Sequence, residues 1–461
     1  MEDLVTARFD ALIIGTGQAG PSLAGRLSAA GMRVAIVERA RFGGTCLNTG
    51  CMPTKALVAS AYVAHKARHA RSYGIEAGAV HVDMRAVKRR KDDISGKLRD
   101  DLEAWLRGLE RCEVIAGHAK FVGPRTVQAG SQTLEADRVF INVGGRPLVP
   151  DMPGVGEVPF LTSDSILDLD FVPERLLVVG GSYIGLEFGQ MYRRFGSEVA
   201  IVEKGPRLIG REDEDVSDAI ADILRGEDIE LRLDATCMTL ERTAAGVAIG
   251  VSCPHGPPRL EGSHVLLAVG RVPNTDDLGL DAAGIRTDAR GYIEVADDLS
   301  TSAPGVYALG DCNGRGAFTH TAYNDYEIVA ANLLDGENRR VSERIASYAL
   351  FIDPPLGRIG MTAAEAKKTV GRVLVGKREM KAVKRAVLKG EAQGFMKIVV
   401  DADTRHILGA AILGPGGDEV VHTLIDAAYA KLPYEQVQRA VRIHPTVSEL
   451  VPTVLGELKP A

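Results

Sequence analysis

One pattern occurs twice in this chain, and it dictates most of what the chain can fold into. Asp10-Ala11-Leu12-Ile13-Ile14 is a short apolar run of the kind buried on both faces of a parallel sheet. It leads into Gly15-Thr16-Gly17-Gln18-Ala19-Gly20 and an alanine- and leucine-rich helical segment through about Ala30. A second apolar run, Val34-Ala35-Ile36-Val37, ends at Glu38. The pattern returns as Leu176-Leu177-Val178-Val179, then Gly180-Gly181-Ser182-Tyr183-Ile184-Gly185, a helix, and Val199-Ala200-Ile201-Val202 closing on Glu203. Gly15 stands as far from Glu38 as Gly180 does from Glu203. Two strand–turn–helix–strand units of one spacing predict an α/β fold with two Rossmann-like dinucleotide-binding domains.

Each residue of the pattern has a physical task. Gly15 permits the tight turn, Gly17 lets the backbone approach a pyrophosphate, and Gly20 lets helix and strand pack closely. The helix N-terminus offers N–H groups to the phosphates. Glu38 stands where a carboxylate accepts from an adenosine ribose. In the second copy Gly180 and Gly185 keep their places, while Ser182 replaces the middle glycine. Serine is small enough to leave phosphate approach open, and its hydroxyl adds a possible contact. Glu203 favours a free ribose 2′-hydroxyl, hence NADH over NADPH, although Lys204 and Arg207 are near enough to meet a 2′-phosphate.

Two further segments echo each other. Val139 to Pro147, containing Gly144, resembles Val265 to Pro273, containing Gly270. Both are apolar strands broken by glycine and proline, suited to a chain passing between domains. The first dinucleotide domain is therefore expected to be discontinuous, over residues 1–150 and 272–342, with the second inserted at 151–271. Apolar runs at 348–352, 358–361, 395–400 and 407–413 predict an antiparallel sheet in a C-terminal α+β domain, 343–461. Helices at about 362–370 and 417–431 would cover it.

Composition narrows the class. A chain of 461 residues exceeds one ordinary core. Its net charge of −6 argues against nucleic-acid or membrane partners. The basic run Lys88-Arg89-Arg90-Lys91 meets Asp92 and Asp93 at once, while Ile94, Leu98, Leu102 and Leu106 recur at helical spacing. That reads as the solvated face of an amphipathic helix. No apolar stretch approaches the roughly 18 residues of a membrane span. Met1-Glu2-Asp3 lacks the character of a secretory leader. Six scattered cysteines make no disulfide framework, which points to a reducing cytoplasm and makes any disulfide more plausibly catalytic than structural.

Two of those cysteines stand out, in Gly43-Gly44-Thr45-Cys46-Leu47-Asn48-Thr49-Gly50-Cys51-Met52-Pro53-Thr54-Lys55. Five positions apart, they share no face of a regular helix, so a bridge needs irregular backbone between them. Asn48, Thr49 and Gly50 supply it, Gly50 being free to take a positive φ. Pro53 suits the first turn of a helix through Lys55, which sets Cys51 at its N-terminus, where a thiolate is stabilised. Two unpaired thiols in a turn are the plain alternative. A metal site lacks the further close-spaced ligands that zinc requires, and none is expected.

Together these features resemble the class I pyridine nucleotide–disulfide oxidoreductases, the family of dihydrolipoamide dehydrogenase, glutathione reductase and mercuric reductase. Thr301-Ser302-Ala303-Pro304-Gly305-Val306-Tyr307-Ala308-Leu309-Gly310-Asp311 and His444-Pro445-Thr446-Val447-Ser448-Glu449 extend the resemblance over nearly the whole chain. It implies FAD at the first fingerprint, together with Gly44, Thr45, Lys55, Gly144 and the ribityl-holding Asp311. It implies NAD(P)H at the second, with Tyr183 covering the nicotinamide pocket and Glu187 and Gly270 alongside. Lys55 and Glu187 would pair near the flavin ring. Cys51 would face the flavin and Cys46 the substrate.

By the same resemblance His444, with Glu449 fixing its tautomer, is the acid–base partner contributed by the other subunit of a homodimer. Thr446 and Glu449 alone would read as a helix capping box. The acceptor expected is a small disulfide of lipoamide type or a related oxidant. Ser182 matches mercuric reductase, but the chain closes without that enzyme's cysteine pair and keeps His444. Direct flavin reduction of quinones, and service as a docking subunit of a larger dehydrogenase complex, are the other readings.

Overall fold

The computed structural model describes residues 6–461, so Met1-Glu2-Asp3 lies outside it. Strand Thr6–Ile14 sits at the middle of the first sheet, parallel to Val34–Glu38 on one side and Gln132–Ile141 on the other. Leu12 lies between Ala35 and Val139, and Ala11, Leu12 and Ile13 are fully buried. Helix α1 (Ala19–Ala29) lays Ala19, Leu23, Ala24 and Leu27 on this sheet. A Cβ on Gly20 would stand 2.4 Å from the Gly15 carbonyl, so only glycine admits this approach of helix to turn. Strand Val306–Ala308 adds to the same sheet in parallel, Val306 beside Val139, although the two are far apart in the chain.

Two helices carry the cysteine segment, α2 (Gly44–Asn48) and α3 (Cys51–Arg68). Helix α4 (Met84–Arg107) follows, begun by the Asp83 carboxylate accepting from the Ala86 N–H at 3.0 Å. Its basic run is not wholly a solvated face: Lys91 is buried, and its ammonium pairs with Asp92. The aliphatic stem lines the interior while the charge finds a partner at the edge.

The second copy builds a parallel sheet of its own, in the order Glu230–Arg232, Glu198–Val202, Arg175–Val179, His264–Leu267, Leu161–Thr162. Helices α5 (Tyr183–Phe195) and α6 (Glu214–Gly226) belong to it. An antiparallel trio, Thr236–Thr243, Gly246–Ser252 and Arg259–Gly262, shares its core. The two glycine–proline segments meet as a small antiparallel ribbon, Gly145–Pro147 against Arg271–Pro273. The chain thus leaves and re-enters the first unit side by side, and helix α7 (Thr319–Ala330) then packs on α1.

The C-terminal sheet is antiparallel in the order Ser347–Leu350, Leu356–Gly360, Ile407–Leu413, Phe395–Asp401, Val373–Glu379, Lys459–Pro460. Val373–Glu379 does not read as an apolar run because Lys377, Arg378 and Glu379 at its end are charged. Lys377 in this strand pairs with Asp215, at 3.0 Å. The helix over 417–431 is two pieces, Gly417–Val420 and His422–Tyr429, parted at Val421.

Candidate functional site

The first fingerprint, the cysteine segment, Asp311 and the N-termini of α5 and α7 converge on one cavity of about 1180 Å³. Cys46 lies in α2 and Cys51 opens α3, with the break at Thr49 and Gly50. Gly50 does not use a positive φ; its φ is −133°. Glycine is required there because a Cβ would stand 2.9 Å from the Thr45 carbonyl. The left-handed turn comes earlier, at Gly43 and Gly44, with φ of 88° and 57°.

All six cysteines are free thiols in this structure, so the pair is seen as a dithiol. The two sulfurs are unequal. A hydrogen bond from Cys46 is the main reason that Cys51 is lowered to about 6, aided by Thr319 and Lys55 against the cost of burial. Cys46 moves the other way, pushed far up by donating that bond and by burial. The Thr319 hydroxyl, at the first position of α7, lies 3.1 Å from Cys51 Sγ. The N-termini of α3 and α7 both favour negative charge at this sulfur. Behind it, Lys55 Nζ donates to the buried Glu187 Oε2 at 2.7 Å and lies 4.5 Å from the Phe351 ring centre. Glu187 Oε1 accepts from the Phe351 N–H at 3.0 Å.

At the opposite end Glu38 accepts from the Thr16 N–H at 3.0 Å, the Thr16 hydroxyl at 2.6 Å and the Ala40 N–H at 2.9 Å. These bonds hold its carboxylate at the cavity wall. The N–H groups of Gly17 and Gln18 have no protein partner among the described residues. Gly144, with φ of 63°, has open space where a Cβ would stand. Thr45 Oγ1 donates to the Gly145 carbonyl at 3.5 Å and accepts from Arg271 at 3.3 Å. Arg271 also lies 3.9 Å from Asp311. Burial raises the Asp311 carboxyl, and Arg271 opposes that rise.

The second fingerprint repeats the first in outline. Gly180 takes a φ of 115°, and a Cβ on Gly185 would meet the Gly180 carbonyl at 2.0 Å. Glu203 accepts from the Gly181 N–H at 2.6 Å and the Gly205 N–H at 2.7 Å. Ser182 makes no side-chain cap to α5. Gly270, with φ of 141°, accepts from the Leu148 N–H at 2.9 Å at the ribbon joining the units. Of this fingerprint only Tyr183, Ile184 and nearby α5 residues reach the cavity. Tyr183 lies 5.5 Å from Phe318, which stacks on Tyr348 at 5.7 Å.

The family model for pyridine nucleotide-disulphide oxidoreductases matches residues 9–325, and the dimerisation domain of that family matches 346–455. The chain belongs to this family. The solved HOCl-induced flavoprotein disulfide reductase RclA from Escherichia coli superposes with a TM-score of 0.87 at 33% identity, covering 97% of this chain and 99% of that one. A Cu(II) complex of the same protein gives 0.87 at 32%, over 98% and 99%. A dihydrolipoyl dehydrogenase of Thermus scotoductus is 33% identical over 96% of this chain and 95% of its own length. A mercuric reductase of Bacillus cereus is 31% identical over 96% of this chain and 70% of its own.

The oxidoreductase is thus an FAD-dependent, NAD(P)H-linked enzyme of disulfide chemistry, and its dimerisation domain supports a homodimeric assembly. The cavity fits FAD, with unpartnered N–H groups at the glycine turn, a tethered carboxylate beyond them and thiols at the far end. Among the described residues no three His, Cys, Asp or Glu side chains cluster as a metal site. Among the described residues no helix is long and apolar enough to cross a membrane.

Within one chain of the oxidoreductase, His444 and Glu449 do not line this cavity. His444 Nδ1 lies 2.8 Å from Glu449 Oε2. The Thr446 hydroxyl accepts from the Glu449 N–H at 3.2 Å, so half of the capping box forms while the carboxylate turns to the imidazole. His444 is 72% exposed, between Val441 at 99% and the carboxylate-bearing turn. Thr319, Phe318 and Arg271 were not legible as site residues. No local motif marks Thr319 or Phe318, Arg271 follows Gly270 in its segment without a role of its own, and only the packing of α7 and the joining ribbon brings the three to the thiols.

Proposed function

We propose that this enzyme passes electrons from NADH to a small disulfide through Cys46 and Cys51, with residues 1–150 and 272–342 forming the FAD unit, 151–271 the NADH unit and 343–461 the dimer interface. The observation that carries the reading is Cys51, a low-pKa thiol held by Thr319 and facing the Lys55–Glu187 pair in the cavity of the first fingerprint. A bound flavin supplies two-electron transfer between nicotinamide and sulfur. Gly15, Gly17, Gly20, Gly44 and Gly144 leave room for its backbone-facing parts, and Glu38, Thr45 and Asp311 orient it. Tyr183 shields the nicotinamide face.

Cys46 acts as the outer sulfur. It attacks the acceptor disulfide as His444 of the partner subunit takes its proton, one thiol of the acceptor leaves with a proton, and the Cys51 thiolate displaces the second by closing on Cys46. The net change is NADH, a proton and a disulfide going to NAD⁺ and two thiols. His444 of the partner subunit exchanges the protons. Glu449 holds Nδ1–H and leaves Nε2 as the site of exchange. The exposed Val441 and Ile443 beside His444 are the surface that a second copy covers.

NADH is favoured because Glu203 is fixed by two backbone N–H groups at the end of its strand, and Arg207 is engaged by Glu214 at 3.1 Å. Lys204 is the remaining cation near a 2′-phosphate. Metal-ion reduction is a second reading, supported by the Cu(II) complex of the similar RclA and by soft sulfur ligands in the cavity. Steady-state assays with NADH and NADPH against lipoamide, glutathione disulfide, a quinone, cupric and mercuric ions separate these. The reading predicts the highest kcat/KM with NADH and a disulfide. A metal ion or quinone turned over faster than every disulfide would displace it.

A further inference from the structure

Asn142 lies in the Val139 to Pro147 segment with no role assigned to it so far, yet it stands between the two halves of the FAD site. It follows the last residue of strand Gln132–Ile141 and is only 6% exposed. Its Oδ1 accepts from the Gly20 N–H, in the first turn of α1, at 3.0 Å. Its Nδ2 donates to the Leu309 carbonyl at 3.0 Å. The Gly310 N–H, the other end of that same peptide unit, donates to Asp325 Oδ2 at 2.8 Å. Asp325 is itself buried, accepts from Asn313 Nδ2 at 2.9 Å and is paired with Arg344. The Leu309–Gly310 peptide is therefore pinned at both ends, from the fingerprint side by Asn142 and from α7 by Asp325. The next residue is Asp311.

The fit around Asn142 has no slack. A Cβ on Gly17 would stand 3.0 Å from its Oδ1, and one on Gly310 would stand 3.0 Å from its Nδ2. Both polar atoms of the amide are used, one on each side, so no simpler side chain of this size meets both partners.

We propose that Asn142 is a positioning residue that couples the pyrophosphate turn at Gly15–Gly20 to Asp311, fixing the separation of the two half-sites that one FAD molecule must span. The inference rests on the cavity being an FAD site. Binding at two linked half-sites gains from a fixed spacing, because the second contact then costs little further ordering. A ligand that meets only the fingerprint, such as ADP, does not draw on that spacing.

Apoprotein of the wild type and of Asn142→Ala distinguishes coupling from simple support of α1. FAD affinity is read by quenching of flavin fluorescence, ADP affinity by calorimetry, and folding by thermal melting. Loss of Asn142 removes the link between the Gly20 N–H, which keeps the Gly17 carbonyl at 3.0 Å, and the Leu309 carbonyl, which keeps the Cys312 thiol, and is expected to weaken FAD by about tenfold or more while ADP changes by less than about twofold. Asn142→Ser, with a hydroxyl too short to reach both partners, is expected to give the same split and serves if the alanine variant does not fold. Equal losses for ADP and FAD, or unchanged FAD affinity, would overturn the coupling. Wild-type apoprotein that binds ADP but no flavin would overturn instead the FAD reading beneath it.

Discussion

At the scale of single residues, the chemistry rests on how three side chains hold one negative charge on Cys51. Cys51 carries it because Cys46 donates to it, Thr319 stands 3.1 Å away and Lys55 is close by. Groups that stabilise a thiolate lower its pKa, so removing one raises it. In the reduced enzyme, alkylation of Cys51 is therefore expected to rise with pH through about 6, well below the usual thiol range. Thr319→Val should move that midpoint upward by about one pH unit, the worth of one hydrogen bond to a charge. An unmoved midpoint would remove Thr319 from the account. At His444 the Glu449 carboxylate fixes the ring. His444→Ala is expected to lower kcat with a disulfide by about two to four orders of magnitude. Glu449→Gln should cost less and shift the pH profile of kcat/KM, whereas a change in KM alone would speak against acid–base work.

At the scale of elements, the junction of α2 and α3 shows what a sequence can and cannot disclose. Both dinucleotide units were legible because their signals are local: an apolar strand, a glycine turn, a helix and an acid at fixed spacing. The interruption between Cys46 and Cys51 was legible too, since two residues five apart cannot share a helical face. The reason for Gly50 was not. Its backbone needs no left-handed φ; what it lacks is room, against the Thr45 carbonyl in α2. Strand Val373–Glu379 was hidden in the same way, because Lys377 and Arg378 are satisfied by Asp215 and Glu457, distant in sequence. Gly50→Ala is expected to destabilise the enzyme by about 1–3 kcal/mol, the usual cost of forcing a methyl into filled space. The melting temperature should fall, and Cys51 alkylation should lose its low-pH onset as α2 shifts. A variant with unchanged melting and reactivity would show that the junction yields freely.

At the scale of the whole molecule, the two ends of the chain hold chemistry that one copy does not join. The thiols line the cavity of the first fingerprint, while His444 stands exposed near Val441 and Ile443 on the family's dimerisation domain. A site completed by the second copy predicts complementation. Homodimers of Cys46→Ser and of His444→Ala should each be inactive toward disulfides, and subunits exchanged between them should recover activity, since each mixed dimer keeps one intact site. No recovery in verified mixed dimers would place His444 outside the reaction. The central claim, that electrons leave through Cys46 and Cys51, is tested most directly by Cys46→Ser alone, assayed with NADH and the best disulfide acceptor. The account predicts that bleaching of the bound flavin by NADH persists while steady-state disulfide reduction is lost. Disulfide reduction at the full wild-type rate would contradict it.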